Sequence, residues 1–301
     1  MDTFLQNLLN GIAAGSIYAL IALGYTMVYG ILKLINFAHG DVFMIGSFVG
    51  FYSGNYLARN NAGAPSAVNA SIVIVLAMLI CGALGYLIER IAYRPLRNAS
   101  RIASLITAIG VSFLLEYGGQ FVFGPDPKFF PTLLEKKIYT FGNTSTTNYQ
   151  FIVLGVSIVV MAGLQYIVYG TKLGRAMRAV SYNFETAALM GIPVNRVIST
   201  TFIIGSMLAA VGGILYGLTY PKIDPLMGIM PGLKAFVAAV LGGIGNVPGA
   251  VIGGILIGVI EAFVGGSQFS NYREGIAFVI LIVILLVRPS GLFGKYQPEK
   301  V

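Results

Sequence analysis

The sequence has few of the residues on which enzymes and metal sites depend. It contains one cysteine, Cys81, and one histidine, His39. A disulfide framework needs paired cysteines, and a zinc site needs three or four clustered ligands, so neither is expected. Cys81 lies inside an apolar stretch and is expected to be a small core residue. No metal ion or other cofactor is predicted.

Catalytic signatures are missing as well. The sequence has no Gly-x-x-x-x-Gly-Lys-Ser/Thr phosphate loop, no His-Glu-x-x-His and no Gly-x-Ser-x-Gly. The C-terminal GLFGK has neither the spacing nor the hydroxyl residue of a phosphate loop. Voltage-sensor and selectivity-filter signatures are also missing, which gives little support to a gated channel. The chain is therefore predicted not to be an enzyme.

Charged residues are scarce and apolar residues dominate. Charged residues make up 10% of the chain, apolar residues 56%, and the mean hydropathy is +0.82. Such a composition cannot be arranged as a soluble core with a polar surface. The apolar stretches are uniform over the roughly 20 residues of a spanning helix and do not alternate as barrel strands would. We predict an all-α, polytopic integral membrane protein, residues 1–301 forming one domain with about eight to ten transmembrane helices. No cleavable signal is evident, so the first helix is expected to be retained.

The net charge of +8 is concentrated in three clusters. Their members are Arg90, Arg94, Arg97 and Arg101; Lys172, Arg175, Arg178 and Arg196; and Arg288, Lys295 and Lys300. By the positive-inside rule these clusters face the cytoplasm, and the nearly balanced connections 60–70, 124–150 and 220–231 face outward. Topology and anionic lipid explain the basic excess, so the membrane lipid is an expected partner and nucleic acid is not. The orientation of the N-terminus stays open.

Polar, glycine and proline residues interrupt the apolar stretches at two places, near Asn36 in INFAHGD and near Asn246 in LGGIGNVPGAVIGG. Both interruptions predict broken or re-entrant helices. Backbone can be irregular at membrane depth only where protein or a watery cavity surrounds it. A polar turn at the membrane surface is the alternative for the first, and close packing through glycine is the alternative for the second. Neither break is expected to hold a deeply placed carboxylate.

Polar and glycine residues near these breaks, and on one predicted helix, are candidates for the lining of a path or gate through the membrane. They are Asn36, His39, Ser112, Glu116, Gly243 and Asn246. Structural roles stay equally open: a backbone carbonyl could satisfy His39, and Glu116 could pair with a neighbouring helix or with interfacial water. Glu261, near the end of its helix, is expected to be interfacial.

Segment 170–197 is a basic, helix-forming interruption between two apolar stretches. Within it ETAALMG is predicted to be a short amphipathic helix that its final glycine ends. Its alanines would permit close packing against a cytoplasmic partner protein, and the arginines would make polar contacts at the edge of that interface. A helix that lies on the membrane surface is the alternative. The candidate docking residues are Arg175, Arg178, Glu185, Ala187, Ala188 and Gly191.

Motifs along nearly the whole chain resemble one family. Glu185, Ala187, Ala188 and Gly191 resemble the EAA-type motif of ABC import permeases. YALIALGYTMVYGILKLINFAHGD, IERIAYRPLR, LGRAMRA and MPGLKAFVAAVLGGIGNVPGAVIGG together resemble the branched-chain amino-acid ABC importer permeases. The chain is similar in particular to the H subunits of high-affinity leucine, isoleucine and valine systems.

The resemblance implies a permease subunit of the bacterial inner membrane that works by ATP-driven alternating access. It implies two ABC ATPase subunits, a second homologous permease subunit and an extracytoplasmic amino-acid-binding protein as partners. Segment 170–197 would be the coupling segment, and the extracytoplasmic loop 124–150 would face the binding protein. A related importer for urea or short amides, and an ion-gradient-driven secondary amino-acid transporter using paired broken helices, remain alternatives.

Overall fold

The computed structural model describes residues 2–60, 65–97, 99–141 and 144–294, so Lys295 and Lys300 lie outside the described residues. The described helices are α1 (Asp2–Leu32), α2 (His39–Arg59), α3 (Ala67–Ile88), α4 (Arg101–Phe123), α5 (Asn148–Gly170), α6 (Lys172–Tyr182), α7 (Phe184–Leu189), α8 (Val194–Thr219), α9 (Ile229–Gly242), α10 (Val247–Gly265) and α11 (Ile276–Val287). Four short strands are β1 (Lys128–Phe129), β2 (Ile138–Phe141), β3 (Thr144–Thr147) and β4 (Lys222–Ile223). A π-helical turn (Glu89–Tyr93) and a 3-10 turn (Arg94–Leu96) extend α3.

Six of these helices are long and apolar enough to cross a membrane: α1, α3 with its extension, α4, α5, α8 and α10. The apolar helices α9 and α11 have 14 and 12 residues. At a rise of 1.5 Å per residue, α9 is only about 21 Å long, short of the roughly 30 Å hydrocarbon core. The prediction of an all-α polytopic membrane protein is confirmed.

One end of the helix bundle carries the segments predicted to face outward. Strand β1 pairs with β4 in an antiparallel ladder, which joins the 124–150 loop to the segment after α8. The start of α1 lies at the same end, because Gln6 accepts a hydrogen bond from the Ser145 amide at 3.0 Å and Gln150 donates to Asn10 at 2.6 Å. This places the N-terminal end of α1 on the predicted outer face.

The opposite end carries the predicted cytoplasmic residues. Arg97, beyond α3, pairs with the buried Glu89 and donates to Asn195 at the start of α8 at 2.6 Å. Ser199 donates to the other oxygen of Glu89 at 2.6 Å. These contacts fasten the end of α3 to the start of α8, and segment 170–197 lies at this end of the bundle.

Glycine allows the central helices to approach very closely. The antiparallel helices α1 and α10 meet where Gly254 lies against Ala19 and Gly258 lies against Gly15. A Cβ on Gly254 would be 2.6 Å from the Ala19 Cα, a separation that side chains do not tolerate. The segment around Asn246 therefore shows both features that were considered for it: the helix is broken there, and the glycines of α10 allow close packing against α1.

Both predicted helix breaks are present. Helix α1 ends at Leu32, Lys33 has a φ of 55°, and α2 begins only at His39. Helix α9 ends at Gly242, Gly243 has a φ of 95°, and α10 begins at Val247. A third break was not predicted: the 220–231 connection does not stay at the outer surface but leads to buried Gly228, directly before α9.

Candidate functional site

A cavity of about 180 Å³ lies between the N-terminal ends of α2 and α9 and the side of α4. Its polar lining includes Asp41, Ser112 and Glu116, and Tyr25 also borders it. Its apolar lining includes Phe37, Ile109, Phe113 and Leu233. The cavity is therefore a small apolar space with its charged groups gathered on one side.

The cavity lies near the middle of the bundle. Ser112, which contacts α2, is halfway along α4. The His39 side chain, at the start of α2, packs against Gly24 of α1 and near Gly205, which is halfway along α8. Since α4 and α8 are both candidate spans, the two helix ends meet near the membrane midplane.

The helices α2 and α9 begin against one another because glycine leaves room for two backbones. A Cβ on Gly40 would be 2.6 Å from the Gly228 carbonyl oxygen and 3.2 Å from the Gly232 Cα. Neither helix has a side-chain hydrogen bond at its N-cap, Ala38 or Gly228. The N-terminal ends of two helices therefore border the same cavity, and the acidic Asp41 lies in the first turn of α2.

The polar side of the cavity is built from α2 and α4. The Ser112 hydroxyl donates to Asp41 at 2.5 Å and lies 3.5 Å from a Glu116 carboxylate oxygen. Asp41 is 2% exposed and Glu116 is 7% exposed. No lysine or arginine of the described chain forms an ion pair with either carboxylate. The prediction that neither break holds a deep carboxylate is wrong, because Asp41 lies at the first one.

The other predicted path residues near the first break lie beside the cavity. The Asn36 side chain accepts a hydrogen bond from the Tyr93 hydroxyl at 2.9 Å. The buried His39 ring lies edge-on to Tyr25, with 4.9 Å between ring centroids, and its Nε2 has no partner within the described residues. Asn36 and His39 thus support the start of α2, while Ser112 and Glu116 line the cavity itself.

Gly243 and Asn246 lie at a different place in the fold, the turn between α9 and α10. The Asn246 side chain accepts from the Gly249 amide at 3.1 Å, which caps α10, and donates to the Phe293 carbonyl at 2.9 Å. Gly243 packs against the Gly294 backbone. The C-terminal segment 290–294 covers this turn, so the structure does not bring these two residues to the cavity.

A buried ion cluster joins α9 to α10. Glu261 of α10 pairs with Lys234 of α9 at 2.9 Å and with Arg273 at 2.9 Å. Tyr18 of α1 donates to the second Glu261 oxygen at 2.8 Å. The expectation of an interfacial Glu261 is wrong, because the residue is only 3% exposed. The cluster fixes α1, α9 and α10 to one another.

Helix α6 forms the rigid base of the cytoplasmic segment. Thr171 caps it by accepting from the Gly174 amide at 3.1 Å, and Met177 is buried on its inner face. Arg178 donates to the Val168 carbonyl and lies over the Tyr169 ring, 5.5 Å from its centroid. Arg178 therefore ties α6 to the end of α5, whereas Arg175 is exposed and forms no ion pair in the described chain.

Helix α7 forms the tip of the cytoplasmic segment. Asn183 caps it by accepting from the Thr186 amide at 2.9 Å, Ala187 is buried, and Gly191, with a φ of 79°, follows its end. Glu185 and Ala188 are exposed. The most exposed apolar side chains of this tip, which sequence reasoning missed, are Tyr182 at 90%, Leu189 at 87% and Met190 at 78%. Leu189 follows the buried Ala187 by two positions, which places it on the opposite face of α7, and this spacing was a signal for Leu189 alone, because Tyr182 belongs to α6 and Met190 lies beyond the end of α7.

Comparisons with known proteins agree with this architecture. The family model described as "Branched-chain amino acid transport system / permease component" matches residues 7–285. The high-affinity branched-chain amino acid transport system permease protein BraD of Pseudomonas aeruginosa is 44% identical, over 99% of this chain and 98% of that protein. The corresponding LivH protein of Salmonella typhimurium is 43% identical over 99% of this chain and 98% of that protein.

A second type of permease is also similar. The probable branched-chain amino acid transport permease protein LivM of Methanocaldococcus jannaschii is 23% identical over 94% of this chain and 91% of that protein. Matches over almost the full length, together with the six candidate spans, make this a multi-pass protein of the bacterial inner membrane. The chain belongs to the family of branched-chain amino acid transport system permease components.

Proposed function

We propose that this chain is the permease subunit of an ABC importer for branched-chain amino acids. It would work with two ATPase subunits, a second homologous permease and an extracytoplasmic binding protein, and it would move its solute by ATP-driven alternating access. Sequence identity to permeases of the same named system supports the substrate class. The observation that best supports this mechanism is the exposed apolar tip of α7, which follows directly after α6.

The exposed apolar side chains at this tip could be buried in a cleft of a partner protein. Leu189 and Met190 extend into solvent beyond a helix whose inner residue, Ala187, is packed. Burying each of these two side chains in a cleft would contribute about 1.5–3 kcal/mol. Exposed Arg175 and Glu185 would add polar contacts at the rim of such an interface. The residues of this tip are therefore the best candidates for ATPase coupling.

The connection from the tip to the membrane is short. Helix α7 ends at Leu189, and α8 begins at Val194 after Pro193. Helix α8 packs against α1, α2 and α3 in the core, and its Gly213 lies against Ser47 of α2. A displacement of α7 would thus pass through α8 to the helix that carries Asp41, which is the kind of rigid link that alternating access requires.

A second permease would complete the cavity. Ile109 and Phe113 line the cavity on α4, and Phe113 is 53% exposed. Neighbouring apolar side chains of the same helix, including Ile106 and Leu114, are also exposed. A homologous subunit packed on α4 would cover these side chains and place the cavity beside the subunit interface.

A gradient-driven carrier is the second candidate, because one specific observation favours it. Two broken helices meet near the midplane, and Asp41 lies at their meeting point. Secondary transporters place coupling-ion and substrate sites at such breaks. This alternative gives no role to the exposed tip of α7, which is why the ABC permease is preferred.

Affinity purification from native membranes in mild detergent, followed by mass spectrometry, separates these proposals. We expect an ATPase subunit to co-purify with the wild type and to be lost with Leu189→Asp and with Glu185→Arg plus Gly191→Pro. Glu274→Gln, which removes an exposed carboxylate from the other end of the molecule, is the control and should retain the ATPase. Wild type without any ATPase would contradict the proposal, and uptake that collapses with the proton or sodium gradient would then identify a carrier.

A further inference from the structure

We propose that Tyr93 is a positioning residue for transport, and that the π-helical turn Glu89–Tyr93 carries movement of the cytoplasmic segment to the first helix break. This break, residues 33–38, lies between α1 and α2. The inference rests on the proposed function, since it takes segment 170–197 to be displaced by an ATPase. It adds to that function a second connection, besides α8 itself, between the displaced segment and the cavity.

The π-helical turn is an irregular end of α3 that the sequence explains. The Arg94 amide donates to the Glu89 carbonyl, five residues back, in place of the four-residue spacing of an α-helix. Pro95 follows, which has no amide to continue the regular ladder and whose ring would clash with an α-helical turn before it. Such turns are rare and are frequent at functional sites, so this one is a candidate for a role beyond packing.

One end of the turn is bonded to the start of α8. The Glu89 side chain is fully buried, pairs with Arg97 and accepts from the Ser199 hydroxyl at 2.6 Å. Arg97 also donates to Asn195 at 2.6 Å. Asn195 and Ser199 lie in the first two turns of α8, which a short connection joins to the tip of α7. A displacement of the tip would therefore reach Glu89 through these two turns.

The other end of the turn contacts both α8 and the break. The buried Tyr93 ring packs against Phe202 of α8, with 5.3 Å between ring centroids, and its hydroxyl donates to the Asn36 side chain at 2.9 Å. The last turn of α3 also lies close to α8, because a Cβ on Gly85 would be 2.9 Å from the Phe202 carbonyl oxygen. The π-helical turn should therefore move with α8, and Tyr93 ties it to the break.

Asn36 in turn positions the start of α2. Its backbone carbonyl accepts from the amide of His39, the first residue of α2, at 3.1 Å. The next residue, Phe37, lines the cavity and lies beside Phe236 of α9, with 6.4 Å between ring centroids. Helix α9 is held to α1 and α10 by the Glu261 cluster and not by the π-helical turn. A shift of Asn36 would thus move the start of α2 relative to α9 and change the width of the cavity.

The test measures the coupling ratio, leucine imported per ATP hydrolysed, in proteoliposomes that contain the whole transporter and leucine-loaded binding protein. Tyr93→Phe keeps the ring against Phe202 and removes only the hydroxyl that is bonded to Asn36. We expect ATP hydrolysis close to that of wild type and a coupling ratio lower by about fivefold, as loss of one buried hydrogen bond predicts. Ser199→Ala, at the other end of the turn, should lower the coupling ratio too.

Two neighbouring hydroxyl groups provide matched controls. The Tyr86 hydroxyl accepts from Arg90 at 2.7 Å, and the Thr200 hydroxyl donates to the Arg196 carbonyl at 2.7 Å. Each of these bonds joins residues four positions apart and reaches no other helix. Tyr86→Phe and Thr200→Val should therefore keep the coupling ratio of wild type. An equal fall in these controls, or an unchanged coupling ratio in Tyr93→Phe, would overturn the proposal.

A double-mutant cycle distinguishes positioning from a general loss of stability. Asn36→Ala removes the acceptor of the Tyr93 hydroxyl. The double variant with Tyr93→Phe should lower the coupling ratio no further than Asn36→Ala alone, because both changes remove one bond. Additive losses would overturn the proposal. So would a coupling ratio that only follows the thermal unfolding midpoint of the assembled complex across test and control variants, since that result indicates a purely structural role.

The outcome for wild type separates this inference from the proposed function. ATP-dependent import in wild type, with an unchanged coupling ratio in Tyr93→Phe, refutes the link and leaves the importer function intact. Import in wild type without ATP refutes both, since no ATPase then displaces segment 170–197. If Tyr93→Phe fails to assemble, Ser199→Ala decides, because Ser199 is only partly buried and its loss should be tolerated.

Discussion

Removal of the Glu261 charge is expected to destabilise the bundle strongly. In Glu261→Gln the side chain keeps its size, but Lys234, whose side chain is 6% exposed, loses its ion-pair partner. Arg273 also loses its partner, yet at 43% exposure its side chain remains solvated and adds little to the cost. Breaking a buried pair by removing one partner costs about 3–5 kcal/mol, and nearly all of it should come from Lys234.

The partner substitution is expected to cost less. In Lys234→Met the apolar stem is kept, and Glu261 retains Arg273 at 2.9 Å and the Tyr18 hydroxyl at 2.8 Å. The double variant Lys234→Met with Glu261→Gln leaves no unpaired buried charge. It should therefore be more stable than Glu261→Gln alone, with a coupling energy of about 1–3 kcal/mol between the two positions.

The stabilities of these variants are measured as midpoints of thermal unfolding of the purified chain in detergent, with size-exclusion chromatography as the readout. The expected order of midpoints is wild type, then Lys234→Met and the double variant, then Glu261→Gln at the lowest temperature. Glu274→Gln removes an exposed carboxylate and should unfold with the wild type. A Glu261→Gln midpoint equal to that of the wild type, or strictly additive effects in the double variant, would refute the buried ion cluster as a determinant of stability.

Three further substitutions test packing and capping. Gly40→Ala should cost about 1–3 kcal/mol and reduce leucine uptake, because its Cβ would be 2.6 Å from the Gly228 carbonyl; unchanged uptake and melting would contradict the close approach. Asn246→Ala should lower the melting midpoint by removing the α10 cap, worth about 0.5–2 kcal/mol. Asn246→Ser, which keeps a capping oxygen for the Gly249 amide but, like alanine, gives up the bond to the Phe293 carbonyl, should lose less, and equal losses would argue against the cap. Gly258→Leu should block the approach of α1 to α10 and abolish folded expression, whereas Gly155→Leu, at an open position, should not.

Much of the fold follows from local pattern. The apolar stretches predict the spanning helices, and Asn36 and Asn246 predict two of the breaks because backbone irregularity in membranes is confined to few places. The short helix that Gly191 follows was also predictable, since glycine at that position is a helix-ending signal. These features depend on residues close together in the sequence.

The candidate site was less predictable because it depends on contacts between distant segments. Ser112 and Glu116 share one face of α4, so their proximity could be read from helical spacing, but Asp41 meets Ser112 from 71 positions away. The burial of Glu261 likewise depends on Lys234 of another helix. The start of α9 at mid-membrane depth follows from the fit of Gly228 against Gly40, which no local pattern reveals.

ATP-dependent uptake of L-leucine tests the central claim most directly. The chain, reconstituted in proteoliposomes with its co-purified partners and a leucine-loaded binding protein, should accumulate leucine when ATP is supplied on the cytoplasmic side. Uptake should persist after ionophores abolish proton and sodium gradients, and should cease in Leu189→Asp. Uptake that needs no ATP and collapses with the ion gradients would contradict the account.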